Sequence, residues 1–221
     1  MLPALQHIDT WIFDLDNTLY PARCDLFAQI DARMTAYIAR LLDLPAAEAK
    51  SLQKSHFYSH GTTLAGLMKE HAVDPQHFLN DVHDIEMDVL AHDAPLAAAI
   101  ARLPGRKLVF TNGDTPYAIK VLTRLGLADS FEAIHDIHAM ALVPKPAPSA
   151  YRSLCDAQAI DPTTSLFVED MARNLLPAKR IGMTTVWVDN GSEQAPDADR
   201  SFIDYTVTEL GPWLAMILED A

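Results

Sequence analysis

Hydrophobic and polar positions follow two rhythms along this chain. After a short lead-in over residues 1–9, residues 10–13 form an apolar, β-prone run that stops at two carboxylates, Asp14 and Asp16. From about Pro21 the period lengthens: Leu26, Phe27, Ile30, Met34, Tyr37, Ile38, Leu41 and Leu42 recur at steps of three and four, predicting a helix apolar on one face that ends near Leu44 and Pro45. Further helices are predicted over 46–58, 63–71 and 74–89, with breakers at Gly61 and Pro75, and no convincing strand falls between Tyr20 and His92. After Pro95, strands at 107–111, 133–137, 165–168 and 184–188 alternate with helices at 116–125, 149–157 and 172–181, two of which are stopped by Gly126 and Gly182. That alternation predicts an α/β fold with a doubly wound parallel sheet, helices on both faces, and ligands bound at the carboxyl ends of the strands. The helical stretch after the first strand reads as an inserted bundle, which divides the chain into an α/β core (1–19 and 93–221) and a helical cap (20–92).

Length and composition leave room for both units: the chain has 221 residues and is 49% hydrophobic. A formal charge of -13 and a pI near 4.9 argue against a nucleic-acid backbone or an anionic membrane as partner, since both encounters would be repulsive. A small anionic substrate would need local cations. No N-terminal segment joins basic residues to a long apolar run, and no apolar stretch reaches the ~20 residues that span a bilayer, so a soluble, cytoplasmic protein is expected. Cys24 and Cys155 are far apart and lack a C-x-x-C partner, which argues against a disulfide framework or a thiolate metal site. Nothing in the sequence decides between monomer and homodimer.

Candidate chemistry sits where predicted strands stop. Asp14 and Asp16, spaced i, i+2, point to one side of a strand end, where like charges are tolerated mainly if a cation or a reacting centre offsets them. Thr111, Asn112 and Gly113 follow the strand at 107–111 and offer a hydroxyl and backbone N–H groups to an anion, beside the start of a helix near Pro116. Lys145, between Pro144 and Pro146, has a stiff backbone that can aim its ammonium. Glu169 and Asp170 close the strand at 165–168, where both can turn toward one cation. Taken singly, each of these is as readily an acidic turn, a solvated lysine or a loop.

In this order and at these strand ends, DLDNTLY (residues 14–20), FTNGD (110–114), PKP (144–146) and VED (168–170) resemble the four motifs of the haloacid dehalogenase superfamily of phosphohydrolases, and the resemblance covers essentially the whole chain. It implies Asp14 as a nucleophile that forms an aspartyl-phosphate, and Asp16 as the acid and then base of the two steps. It implies one Mg²⁺ held by the Asp14 carboxylate, the Asp16 carbonyl, Asp170 and, directly or through water, Glu169. Lys145 would neutralise Asp14 and the phosphoryl group, Thr111 with the N–H groups of Asn112 and Gly113 would bind its oxygens, and Arg173 and Asn174 would orient Lys145 or the metal waters. The dehalogenase branch typically lacks an acid at the position of Asp16, so the resemblance favours a phosphatase.

The segment HFYSHGTTLAGLM (56–68) further resembles the pyrimidine 5'-nucleotidase group of that superfamily, which implies pyrimidine nucleoside 5'-monophosphates (UMP, CMP) as substrates and His56, Tyr58, His60, Thr62 and Thr63 as contacts. Phe57, Leu64, Leu67 and Met68 read mostly as bundle core. The alternatives are the same chemistry on a sugar phosphate or pyridoxal phosphate, or a member of the fold that binds ligand without turnover. His56 with His60 (i, i+4) and His135 with His138 (i, i+3) could each hold zinc if helical, but neither pair has an evident third ligand and no zinc site is expected.

Overall fold

A computed structural model describes residues 1–194 and 199–219. Six strands, β1 (Thr10–Phe13), β2 (Arg106–Phe110), β3 (Ala133–His135), β4 (Ser165–Glu169), β5 (Thr184–Val188) and β6 (Tyr205–Val207), form one parallel sheet in the order β3-β2-β1-β4-β5-β6. Every residue of β1 and β4 is buried, as parallel strands covered on both faces require. Between β1 and β2 lie α1 (Leu26–Leu42), α2 (Ala46–His60), α3 (Thr63–His71), α4 (Pro75–Val82) and α5 (Ala94–Arg102); after β2 come α6 (Thr115–Leu125), α7 (Pro148–Gln158), α8 (Ala172–Arg180) and α9 (Leu210–Glu219). The first four helices pack on one another, α1 on α2 and α4, α2 on α3, and α3 on α4, with no strand among the described residues 20–92. α5 packs on α9, and α8 lies on β4 and β5.

The register assembles the site. Phe13 pairs with Val109 on one side and Val168 on the other, so the next residue of the chain, Asp14, comes level with Phe110 and Glu169. The Asp14 N–H continues the ladder to the Val168 carbonyl at 2.9 Å, after which the chain turns through Asn17 in the left-handed region, φ 58°. The termini of β1, β2 and β4 thus open onto the same edge, under the α1–α4 bundle.

The helix expected over 74–89 stops at Val82. Beyond it run Asp84, Glu86 and Asp88, and acids at a helix C-terminus oppose the macrodipole. α5 escapes the sequence pattern because Pro95 looks like a breaker; it stands in the first turn instead, where no N–H is missed, and Asp93 caps the helix by accepting from Leu96 N–H at 2.9 Å. β6 has only three residues, and α9 is apolar with Gly211 and Pro212 near its start, so neither carries a readable period. No helix among the described residues is long and apolar enough to cross a membrane.

Candidate active site

At the carboxyl ends of β1, β2 and β4 a single ammonium stands among buried acids. Lys145 is 1% exposed, and its Nζ donates to Asp14 Oδ1 at 2.7 Å, Glu169 Oε2 at 2.8 Å and the Phe110 carbonyl at 2.8 Å, using all three of its hydrogens. Its backbone is fixed through Asn112, whose Oδ1 accepts from Lys145 N–H at 2.9 Å while Nδ2 donates to the Lys145 carbonyl at 3.3 Å. Burial alone would favour the neutral amine, but Asp14 and Glu169 overcome it and raise the Lys145 pKa, so the group is a permanent cation.

Three carboxylates surround that one charge. Asp14, Glu169 and Asp170 are all buried, and an oxygen of each lies within 4.8 Å of the others. Burial first, and then repulsion by Glu169, push Asp14 up to about 7 despite Lys145. Asp170 is driven well above the usual carboxylate range by burial, then by Glu169 and Asp14. Thr18 stitches two of these acids together: its hydroxyl donates to Asp14 Oδ2 at 3.0 Å and accepts from Asp170 N–H at 3.1 Å. Glu169 is more heavily engaged, with Oε2 also accepting from Asn174 Nδ2 at 3.1 Å and Oε1 from Met171 N–H at 3.1 Å.

Asp16 has partners that the sequence reading missed. Its Oδ1 accepts from the phenols of Tyr117 at 2.6 Å and Tyr20 at 2.7 Å. Burial raises the Asp16 pKa against the pull of both phenols. Tyr117 stacks on His83, ring centroids 4.2 Å apart, and His83 Nδ1 lies 2.9 Å from Asp114 Oδ1, so this side of the site is buttressed from the loop after α4.

Asp14, Asp16, Asn112, Gly113, Lys145, Glu169, Asp170, Arg173 and Asn174 all line one cavity of about 390 Å³. Thr111 is 1% exposed beside it, and its Oγ1 accepts from Gly113 N–H at 3.0 Å. From the helical bundle the wall includes Thr62, Thr63, Phe57, Leu64, Phe27 and Phe78, whereas His56, Tyr58 and His60 do not line the cavity. Thr62 also caps α3, accepting from Ala65 N–H at 3.1 Å. Phe57 and Leu64, expected in the bundle core, thus border the cavity. His56 is buried between α2 and α3, the exposed Tyr58 gives its hydroxyl to Glu193, and His60 turns to Glu70.

Arg173 likewise differs from the expected role beside Lys145. Its guanidinium donates to the Phe57 carbonyl at 3.2 Å and the Gly61 carbonyl at 2.9 Å and lies 4.1 Å from the Phe57 ring centre, joining α8 to the turn after α2. That turn needs glycine: Gly61 has φ +88°, and a Cβ there would stand 3.3 Å from the Lys145 carbonyl.

The donor set suits a hard dication. When all three buried carboxylates are ionised, one ammonium leaves two negative charges uncompensated, and an all-oxygen ligand set is the kind that a hard divalent cation prefers.

Known proteins of this architecture are informative at this point. A curated relative, phosphate metabolism protein 8 of Saccharomyces cerevisiae, is 25% identical over 190 residues, covering 78% of this chain, and the chain spans only 59% of that protein's length. Among solved structures, a predicted phosphoglycolate phosphatase from Haemophilus somnus 129PT superposes with a TM-score of 0.66 at 15% identity, over 96% of this chain and 99% of that one. The L-2-haloacid dehalogenase from Xanthobacter autotrophicus, solved with chloropropionic acid covalently bound, superposes with a TM-score of 0.59 at 17% identity, over 97% and 100%. At such identities these structures speak for the fold. Residues 8–182 match the profile of the haloacid dehalogenase-like hydrolases, and the chain belongs to that family.

Proposed function

We propose that this hydrolase is a phosphomonoesterase acting through an aspartyl-phosphate on Asp14, with pyrimidine nucleoside 5'-monophosphates as its substrates. The observation that carries the reaction class is Asp16, which borders the same cavity as Asp14 and Lys145 with Oδ1 held by two phenols. Loss of halide from an alkyl carbon needs no proton on the leaving group, whereas expulsion of an alkoxide from phosphorus does. An acid two residues beyond the nucleophile is therefore a feature of the phosphatase reading.

In that reading an Asp14 carboxylate oxygen attacks phosphorus in line and the bond to the ester oxygen breaks. Asp16 delivers its proton to the departing oxygen. Water then attacks the phosphorus of the acyl-phosphate, Asp16 takes up a proton, and inorganic phosphate leaves with Asp14 restored. Lys145 holds Asp14 in place and balances charge on the phosphoryl oxygens, for which the Asn112 N–H, the Thr111 hydroxyl and, on leaving Thr111 Oγ1, the Gly113 N–H would supply donors. Asp14, the Asp16 carbonyl and Asp170 would hold Mg²⁺, with Glu169 reaching it through water because its oxygens already accept from Lys145, Asn174 and Met171 N–H. Bound there, the ion supplies Lewis-acid stabilisation of charge on the transferring group. Asn174 orients Glu169.

Residues 20–92 act as a cap that reads the leaving group. Phe57, Phe27 and Phe78 offer aromatic surface to a base, Thr62 and Thr63 lie at the turn above the acids, and Lys54 lies on the same wall paired with Glu193 and Asp31. A volume of about 390 Å³ lies within the usual range for small-molecule sites. A panel of UMP, CMP, sugar phosphates and pyridoxal phosphate, assayed for phosphate release with and without Mg²⁺, tests the proposal. Preference for UMP and CMP supports it; preference for a sugar phosphate or pyridoxal phosphate moves the substrate while leaving the reaction class, and no release from any of them removes both.

A further inference from the structure

On the bundle surface away from the active-site cavity, α2 and α3 bring together a second set of metal-ligating groups. His56 and His60 lie one turn apart on α2, and Glu70 faces them from the last turn of α3. One ligand atom from each lies within 4.8 Å of the other two. His60 Nε2 is 3.0 Å from Glu70 Oε1, and His56 Nδ1 is 3.9 Å from the same oxygen. Tetrahedral coordination at zinc, with bonds of about 2.0–2.1 Å, sets its ligand atoms about 3.4 Å apart, so small side-chain adjustments would close these distances on a common centre.

The His56 ring is poorly explained by packing alone. It is 2% exposed and its Nε2 has no hydrogen-bond partner, which costs free energy, while the nitrogen nearest Glu70 is Nδ1, so an ion shared with Glu70 would be taken at Nδ1. Gly66 makes room for it: a Cβ at that position would stand 2.3 Å from the His56 ring. Burial lowers the His56 pKa, so the ring is available as a neutral ligand. The His71 ring lies 5.9 Å from that of His56 but is not one of the groups whose ligand atoms converge.

We propose that His56, His60 and Glu70 form a zinc site that staples α2 to α3. Two imidazoles and one carboxylate suit a borderline ion such as Zn²⁺ and disfavour Mg²⁺, which separates this site from the all-oxygen cluster around Asp14. The turn between the stapled helices carries Gly61 and Thr62 and leads into Thr63, so the ion would brace the part of the bundle that borders the cavity.

The test is calorimetric titration of the full-length protein with Zn²⁺ alone, in saturating Mg²⁺ to occupy the acidic cluster, alongside thermal unfolding with and without Zn²⁺. The variants are Glu70→Gln, at an exposed position, and His60→Gln, which keeps a side chain beside the His56 ring. The expected result is one zinc per chain, weakened about 100-fold or more in either variant, beyond what losing an outer partner of a metal ligand causes. Zinc should also raise the Tm of the parent and leave that of the variants unmoved. Zinc uptake unchanged by both substitutions would assign it to another site and overturn the proposal, as would no uptake by the parent.

Discussion

Excess negative charge around Lys145 leads to a prediction in which activity and stability move in opposite directions. Asp14 is 6% exposed, and its carboxyl titrates near 7 instead of 3.8 because burial and then Glu169 outweigh Lys145. At ~1.36 kcal/mol per pH unit, that displacement makes the ionised group about 4 kcal/mol less favourable in the fold than in the unfolded chain. Against a total stability of about 5–15 kcal/mol for an ordinary domain, the cost is large. In Asp14→Asn the shape is kept, an amide oxygen still accepts from Lys145, and the charge is gone. With divalent cations chelated at pH 8, the variant is expected to be about 2–4 kcal/mol more stable than the parent.

The pH dependence follows from the direction of the displacement. The folded state holds the Asp14 proton more tightly than the unfolded chain does, so this group's favourable contribution is complete below pH 3.8 and is lost as pH rises through about 7. Urea unfolding in a chelator should therefore show parent and variant nearly alike at low pH, diverging as pH rises, with a constant gap above the upper value. Added Mg²⁺ should stabilise the parent more than the variant. Phosphate release by the variant should fall to background, because an amide is no nucleophile. A variant less stable than the parent at pH 8 in chelator would refute the charge argument; one that is folded and still turns over would refute the role of Asp14.

Three further outcomes are expected. Asp16→Ala should lower kcat/KM for an alkyl phosphomonoester by about 10²–10⁴, and much less for an aryl phosphate whose leaving group needs no proton; kcat/KM reports the first step alone, while kcat for both substrates should also fall where the second step, with Asp16 as base, limits. Tyr117→Phe removes a 2.6 Å donor from Asp16 and leaves Tyr20 in place; kcat should fall by about 10-fold, the worth of one hydrogen bond to a charged group, with KM little changed. Arg173→Ala removes both bonds to the turn after α2 and the contact with the Phe57 ring. Substrate affinity should weaken by about 10-fold or more while the acids keep their arrangement, as read by KM and by unaltered Mg²⁺ binding.

Much of the core was legible because it rests on local rules. Apolar runs ending in acids at residues 14 and 169 mark strand ends whose convergence follows from parallel topology, whereas Lys145, expected at a strand end too, comes from the loop just before α7, ten residues beyond the end of β3. The bundle contacts were harder to read. His56, Tyr58 and Phe57 are consecutive or nearly so on α2, and which of them borders the cavity depends on the rotation of that helix against α3 and α8, a tertiary property with no local signal. Tyr117 hid for a related reason: it occupies an apolar-stripe position of α6 and is 1% exposed, so its pattern is that of a core aromatic. Tyr20 had a weak signal in its four-residue separation from Asp16. Glu70 gave none, since its neighbourhood with His56 and His60 depends on the fold-back at Gly61.

The two tyrosines show how packing and chemistry share the same atoms here. Tyr20 and Tyr117 are 2% and 1% exposed, so their rings fill the core, yet both phenols end on one oxygen of Asp16. Burial, followed by Asp16 itself, pushes both phenols well above the ordinary tyrosine value, which keeps them donors at any working pH. Spending both on Oδ1 fixes the plane of the carboxyl and leaves Oδ2 for a proton in transit. The demands that the proposed mechanism makes on Asp16 would then be met in one place: burial raises its pKa and the phenols limit the rise, as a group that gives a proton and takes one back requires. A solvated carboxylate at the same position would have the reach but would remain ionised, and a buried one without the phenols would hold its proton more tightly in the first step and be slower to act as an ionised base in the second.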